Sequence, residues 1–226
     1  MVGVEYIKNA VSELMGSQST GHDTEHVFRV YNMAMNFCEV VPDANRDLVA
    51  AAALLHDCDD YKLFGEESAR LLTNTHRILN GSGFDPDFCS KCVDIVKTIG
   101  YSKRLTGIMP FGIEGAIVSD ADMCDAIGSV GIVRCIEWGA QYKAPFFDPT
   151  CLPQEVDGEK YKKVARHQPI INHFFDKLLR LRELCLTKPG RACAAKRHET
   201  MVVFLENYFD EVKAPPSWTK LLENYK

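Results

Sequence analysis

Three stretches of this chain carry apolar residues at helical spacing, and each interrupts its apolar stripe with a histidine or an aspartate. On the stretch 23–40, one helical face runs His22, His26, Arg29/Val30, Met33 and Phe37. On 44–58 the matching face holds Val49, Ala52/Ala53 and His56, and on 114–126 it holds Val118, Asp122 and Asp125. The apolar residues define which side of each helix faces the core. An ionisable group on that side is costly to bury unless it is paired or bound to an ion. One inward histidine is usually a hydrogen-bonded core residue; three inward polar positions on three helices point to a shared partner.

The rest of the chain is helical in the same way. The spacing predicts helices near 3–15, 23–40, 44–58, 65–80, 86–98, 114–126, 128–140, 169–186, 191–212 and 216–224, and no stretch alternates as a strand does. The expected fold is all-α, a compact multi-helix bundle forming a single domain over 1–226. Asp43, after Pro42, is the expected N-cap of the third helix. Asp85-Pro86 reads as an N-cap followed by an N1 proline. Pro189-Gly190 is expected to mark the boundary between the last two long helices. Two segments are irregular, Gly100–Gly112 and about Gln141–Gln168, and loops of that length are often lids or binding loops.

Composition narrows the function classes. The net charge of −5 argues against a broad surface for duplex nucleic acid, though a local basic cluster can still neutralise a few phosphates. Nine cysteines in no framework, with no leader-like or membrane-length apolar run, point to a cytoplasmic protein that is not bound to a membrane. The pair Cys89-x-x-Cys92 lacks the second pair or histidines of a zinc site and the βαβ context of a redox motif, so it reads as ordinary thiols of a helix.

In chain order the inward residues are His26, His56-Asp57 and Asp122, two imidazoles and two carboxylates. The HD dipeptide alone carries little, because His22-Asp23 provides a second one. The three-helix context carries the reading. Asp120 competes with Asp122, but on a helix the two point about 200° apart. Asp122 shares a face with Val118 and is the expected ligand; Asp120 is expected on the helix surface or behind the ligands. Four such ligands hold one divalent ion and leave about two positions open. Mixed nitrogen and oxygen donors suit Mn²⁺, Fe²⁺, Co²⁺ or Ni²⁺, with Mg²⁺ less favoured by imidazole. Lys62, Lys103 and Arg104 are candidates for charge stabilisation at a phosphoryl group. Asp125 is a candidate to orient a ligand or accept from a sugar or base, and His22 to support the ligands.

The motifs Gly21-His22-Asp23-x-x-His26-Val27-x-Arg29-Val30, Ala51-Ala52-Ala53-Leu54-Leu55-His56-Asp57-x-Asp59-Asp60 and Asp120-Ala121-Asp122-x-x-Asp125-Ala126-Ile127-Gly128, with Asn172-His173-Phe174-Phe175 and Lys177-Leu178-Leu179, resemble the HD-domain phosphohydrolase superfamily. The likeness is to its small stand-alone bacterial branch and runs from about residue 20 to 205. It implies an HD core over about 20–140 with C-terminal helices, about 168–224, packed on it. It also implies hydrolysis of phosphoanhydride or phosphoester bonds in nucleotides, with a (d)NTP pyrophosphohydrolase using Mn²⁺ the expected activity. A monophosphatase, a phosphodiesterase or a nucleotide sensor with little turnover are the alternatives. Asp60, one turn beyond His56, resembles the acid that assists the nucleophilic water, and Asp59 is its competitor. The expected partner is a nucleotide or other small phosphorylated substrate; monomer and homodimer both stay open. Cys58 stands where the branch commonly has an aliphatic residue, and a thiol so close to the ligands is a candidate for oxidation sensitivity.

Overall fold

A computed structural model describes residues 2–16, 24–153 and 168–226, and among them there are helices and no strand. The chain divides into two compact units, Met1–Asp122 and Met123–Lys226.

The first unit contains α1 (Val2–Met15), α2 (Thr24–Cys38), α3 (Arg46–Leu55), α4 (Tyr61–Leu71), α5 (Thr73–Gly81), α6 (Pro86–Thr98), α7 (Tyr101–Leu105) and most of α8 (Gly112–Asp125). Its centre is α3, in which every residue from Leu48 to Leu55 is buried. A helix that is apolar all round belongs inside a core. Helices α1, α2 and α6 pack on it, and the run Ala50–Ala53 gives them little side-chain bulk to clear.

Several boundaries differ from the periodicity reading. The cap of α3 is Asn45, not Asp43: Asn45 is extended and accepts from the Leu48 amide at 3.1 Å. Ala44 instead closes a turn onto the Val41 carbonyl. The helix expected to reach residue 58 stops at Leu55, because Cys58 and Asp60 fold back onto the carbonyls of Leu55 and Asp57. The segment expected as one helix from 65 to 80 is two. Leu72 adopts the left-handed conformation (φ 51°) and donates its amide to Ser68 O at 2.7 Å, closing α4. Inside α4, Gly65 sits at φ 82°, ψ 166° with nothing within 4 Å of where a Cβ would stand. That backbone region is open essentially to glycine alone, so Gly65→Ala should cost about 1–3 kcal/mol through backbone strain without any clash. Thermal unfolding at matched metal content reads this directly, and an unchanged transition would contradict it. Asp85 and Pro86 do cap α6 as the sequence predicts, with Asp85 accepting from the Phe88 amide at 2.9 Å.

The second unit holds the last turn of α8 and then α9 (Gly128–Gln141), α10 (Ile170–Asp176), a 3-10 helix (Leu178–Leu184), α11 (Lys188–Glu211) and α12 (Pro216–Glu223). Helix α11 packs against α9, the 3-10 helix and α12. Its core is aromatic: Phe175, Phe209 and the fully buried Trp218 meet, and Trp218 Nε1 donates to Pro149 O at 3.1 Å. The helix expected over 169–186 breaks at Lys177 (φ −137°), where Arg180 Nε takes the Phe175 carbonyl at 2.9 Å. Pro189 and Gly190 lie in the first turn of α11 rather than between helices; Thr187 caps it by accepting from the Gly190 amide. Residues 142–153 of the second irregular segment are non-helical, as expected, and 154–167 fall outside the described residues.

Candidate metal centre

Helix α3 delivers the central pair. Its last carbonyls have no partner within the helix, and the His56 ring uses one of them: Nδ1 lies 2.8 Å from Ala53 O. A ring that donates from Nδ1 carries its lone pair on Nε2, so the imidazole is fixed in the form that binds a metal. His56 Nε2 faces His26 Nε2, from the first turn of α2, at 3.3 Å. Asp57 Oδ2 lies 3.4 Å from His26 Nε2 and 3.5 Å from His56 Nε2. Asp122 Oδ1, from α8, lies 3.6 and 4.0 Å from the same two nitrogens. The two imidazoles are buried, whereas the carboxylates of Asp57 and Asp122 keep 15% and 23% of their surface.

His26, His56 and Asp122 have the spacing of ligands to a shared cation. Ligands about 2.1 Å from one ion lie about 3 Å apart when adjacent and about 4.2 Å when opposite, and the three separations among these residues fall in that interval. Among the described residues, His26, His56 and Asp122 have ligand atoms all within 4.8 Å of one another. Asp57 stands outside that threefold group yet touches both imidazoles. The open side is the carboxylate side, where water or a phosphate oxygen can approach.

The remaining residues singled out from the sequence separate into clear environments. Asp120 is fully buried, so of its two expected settings the helix surface is excluded. Asp125 is fully buried and its carboxylate pairs with Arg134 Nη1 at 3.0 Å, a partner the periodicity gave no sign of. Asp59 is buried and accepts three bonds, from Ser68 Oγ, the Asn74 amide (2.9 Å) and the Thr75 amide (2.9 Å). It holds the start of α5. Asp60 is half-buried and caps α4, accepting from the Lys62 amide at 2.9 Å through Oδ1. Lys62 and Lys103 are exposed and Arg104 is half-buried, the latter two on the short helix α7. His22 lies outside the described residues.

The thiols of Cys58, Cys89 and Cys92 are quiet. Cys58 is fully buried, and burial pushes its thiol well above the ordinary range, with the carboxylates of Asp59 and Asp57 adding to the effect. A buried, protonated thiol is unreactive, so the oxidation sensitivity expected at Cys58 has no basis there. Burial also raises Cys89, and pushes Cys92 up to about 12.

Residues 24–127 match the HD domain family. Over 204 residues the chain is 31% identical to the Bacillus subtilis protein YpgQ, covering 89% of each. This chain belongs to the HD-domain phosphohydrolase superfamily. Solved structures are similar along almost the whole length. A Lactobacillus plantarum protein is 28% identical with a TM-score of 0.79, over 94% of this chain and 97% of that one. An HD-superfamily hydrolase from Bacillus thuringiensis is 28% identical with a TM-score of 0.72 over the same shares. YpgQ in complex with ADP is 27% identical with a TM-score of 0.70, over 92% and 97%. The HD assignment makes the chain a metal-dependent phosphohydrolase and gives the cluster of His26, His56 and Asp122 its chemical sense. No helix among the described residues is long and apolar enough to cross a membrane.

Proposed function

We propose that this hydrolase acts on nucleotides as a (d)NTP pyrophosphohydrolase, releasing pyrophosphate and a nucleoside monophosphate. The observation that carries the reading is that the Asp57 and Asp122 carboxylates each lie within 3.4–4.0 Å of both imidazole nitrogens, themselves 3.3 Å apart, and keep part of their surface open. The nucleotide class is supported by the relative YpgQ, whose structure was solved with ADP. His26, His56, Asp57 and Asp122 would hold one divalent ion, with Mn²⁺ favoured by the mixed donor set over Mg²⁺. When bound, such an ion lowers the pKa of water and offsets phosphoryl charge.

The chain's own residues supply the rest. Asp60 is held one tight turn beyond Asp57, its amide bonded to the Asp57 carbonyl at 3.1 Å. One carboxylate oxygen caps α4, and the second would orient the attacking water and take its proton. Lys62, Lys103 and Arg104 would meet the phosphate chain, each cation offsetting charge on the departing pyrophosphate. Asp60→Asn keeps the size of the side chain and removes the base. It should lower kcat by about 10²–10⁴-fold with metal content unchanged. An Asn variant at full activity would remove Asp60 from the reaction.

The deciding assay is a panel of (d)NTPs, nucleoside diphosphates, monophosphates and cyclic nucleotides with Mn²⁺, Mg²⁺, Co²⁺ and Ni²⁺, with products identified. Monophosphate and pyrophosphate from (d)NTPs would support the proposal. Inorganic phosphate from monophosphates, with triphosphates untouched, would replace it with a monophosphatase, and opening of cyclic nucleotides alone would make the enzyme a phosphodiesterase. Tight nucleotide binding without product would make the protein a sensor.

A further inference from the structure

Three of the nine cysteines meet within the second unit, one of them two residues beyond Asp122 on α8. Cys124 is in the last turn of α8, Cys185 follows the 3-10 helix, and Cys193 is in α11. The Cys124 thiol stands within hydrogen-bond reach of both other thiols. Two further contacts pin it against one stretch of α11. Cys124 Sγ lies 3.6 Å from Gly190 O, and Arg197 Nη1 donates to Cys124 O at 2.7 Å. Gly190 and Arg197 flank Cys193 by about one turn on either side, so the bonds bring Cys124 onto the turn that carries Cys193. Cys124 and Cys185 are buried; Cys193 is half-exposed.

We propose that Cys193 is a peroxide-reactive thiol and Cys124 its resolving partner, so that a hydroperoxide closes a disulfide between α11 and α8. The Cys193 sulfur, as thiolate, attacks the peroxide; its S–O bond forms as the O–O bond breaks, and the released hydroxide takes a proton to leave as water. The Cys124 sulfur then gives up its proton and attacks the sulfenic sulfur of Cys193. The S–S bond forms, the S–O bond breaks, and hydroxide departs with that proton as a second water. Two thiols lose two electrons in all, and the peroxide gains them.

The order of attack follows from accessibility and charge. Solvent reaches Cys193 but neither of its neighbours. The Cys124 thiol bonded to it and the Arg197 guanidinium beside it lower the Cys193 thiol from its ordinary range, which favours the nucleophilic thiolate. Cys89 is also half-exposed, yet burial moves its thiol upward. Low-pKa, accessible thiols with a second thiol at hand are the ones peroxides select. Cys185 touches Cys124 rather than supplying the accessible sulfur, so it is dispensable for the first disulfide.

The test is peptide mapping by mass spectrometry of the whole protein after brief exposure to stoichiometric hydrogen peroxide, with and without dimedone. The wild type should yield a dithiothreitol-reversible link, two hydrogens lighter, between the peptides carrying Cys124 and Cys193. Cys193→Ser should abolish it, Cys185→Ser should retain it, and Cys124→Ala should instead accumulate a dimedone adduct on Cys193. A wild-type link through Cys185 in place of Cys124, or adducts on Cys89 or Cys151 with Cys193 untouched, would overturn the proposal. Because the wild-type map alone distinguishes these results, the conclusion survives a variant that fails to fold.

Discussion

Asp57→Ala is expected to leave a folded protein that retains no stoichiometric divalent metal and has no measurable turnover. Asp57 is the cleanest of the proposed ligands to remove. Its carboxylate keeps 15% of its surface, so truncation opens little core, whereas His56 is 1% exposed and its loss would also strand the Ala53 carbonyl. Groups that only orient a metal ligand cost roughly 10–100-fold in affinity or activity when removed; a direct ligand should exceed that range. The second readout is thermal. An ion at 100 times its Kd adds about 2.7 kcal/mol to the stability of the protein that binds it. For a chain of this length that is a Tm increment of roughly 5–10 °C. Wild type should gain this increment on addition of Mn²⁺, and Asp57→Ala should gain none while its metal-free transition stays near that of metal-free wild type. An Asp57→Ala protein with full metal content and full turnover would dissolve the candidate centre.

What the sequence disclosed, and what it withheld, follows from the range of the interactions involved. The inward placement of His26, His56 and Asp122 is a matter of helical period, and the structure brings those three together. Asp85-Pro86 is a local cap, and it too was readable. Two of the misplaced boundaries also have partners set from a distance. The start of α5 is held by Asp59 from 15 and 16 residues away, and the amide of Asn45 is taken by Glu114 Oε1 from 69 residues away. No window of local periodicity contains such partners. The same holds for Asp125, whose face matched that of Asp122 in the helical reading. Its burial and its bond to Arg134, nine residues on, give it a partner that spacing alone does not reveal. Cys58 was singled out for its neighbours in sequence, whereas reactivity depends on exposure, which leaves it inert and points to Cys193.

The adjacent acids Asp59 and Asp60 should separate into a structural and a chemical role by opposite responses. Asp59 is 5% exposed, with Oδ1 accepting from Ser68 Oγ and the Asn74 amide and Oδ2 from the Thr75 amide. Asp59→Ala removes the acceptor for three donors, two of them backbone amides that start α5. Each buried donor left unpaired costs about 1–3 kcal/mol. With partial relaxation at the hydroxyl, the loss should be about 3–5 kcal/mol, a large share of the 5–15 kcal/mol that holds a typical domain folded. Asp59→Asn should be milder, since the amide keeps one acceptor oxygen but turns its NH₂ towards a donor. Below its lowered transition, Asp59→Asn should still bind metal and turn over. Asp60→Asn should show the reverse, with near-wild-type stability and a deep loss of kcat, because its cap on the Lys62 amide is near the surface and an asparagine oxygen can replace it. Denaturant unfolding and steady-state kinetics on the same preparations decide the matter. If Asp59→Asn were the stable, inactive variant and Asp60→Asn the unstable, active one, the water-orienting role would pass to Asp59, and the bonds that tie it to α5 would have to open during turnover.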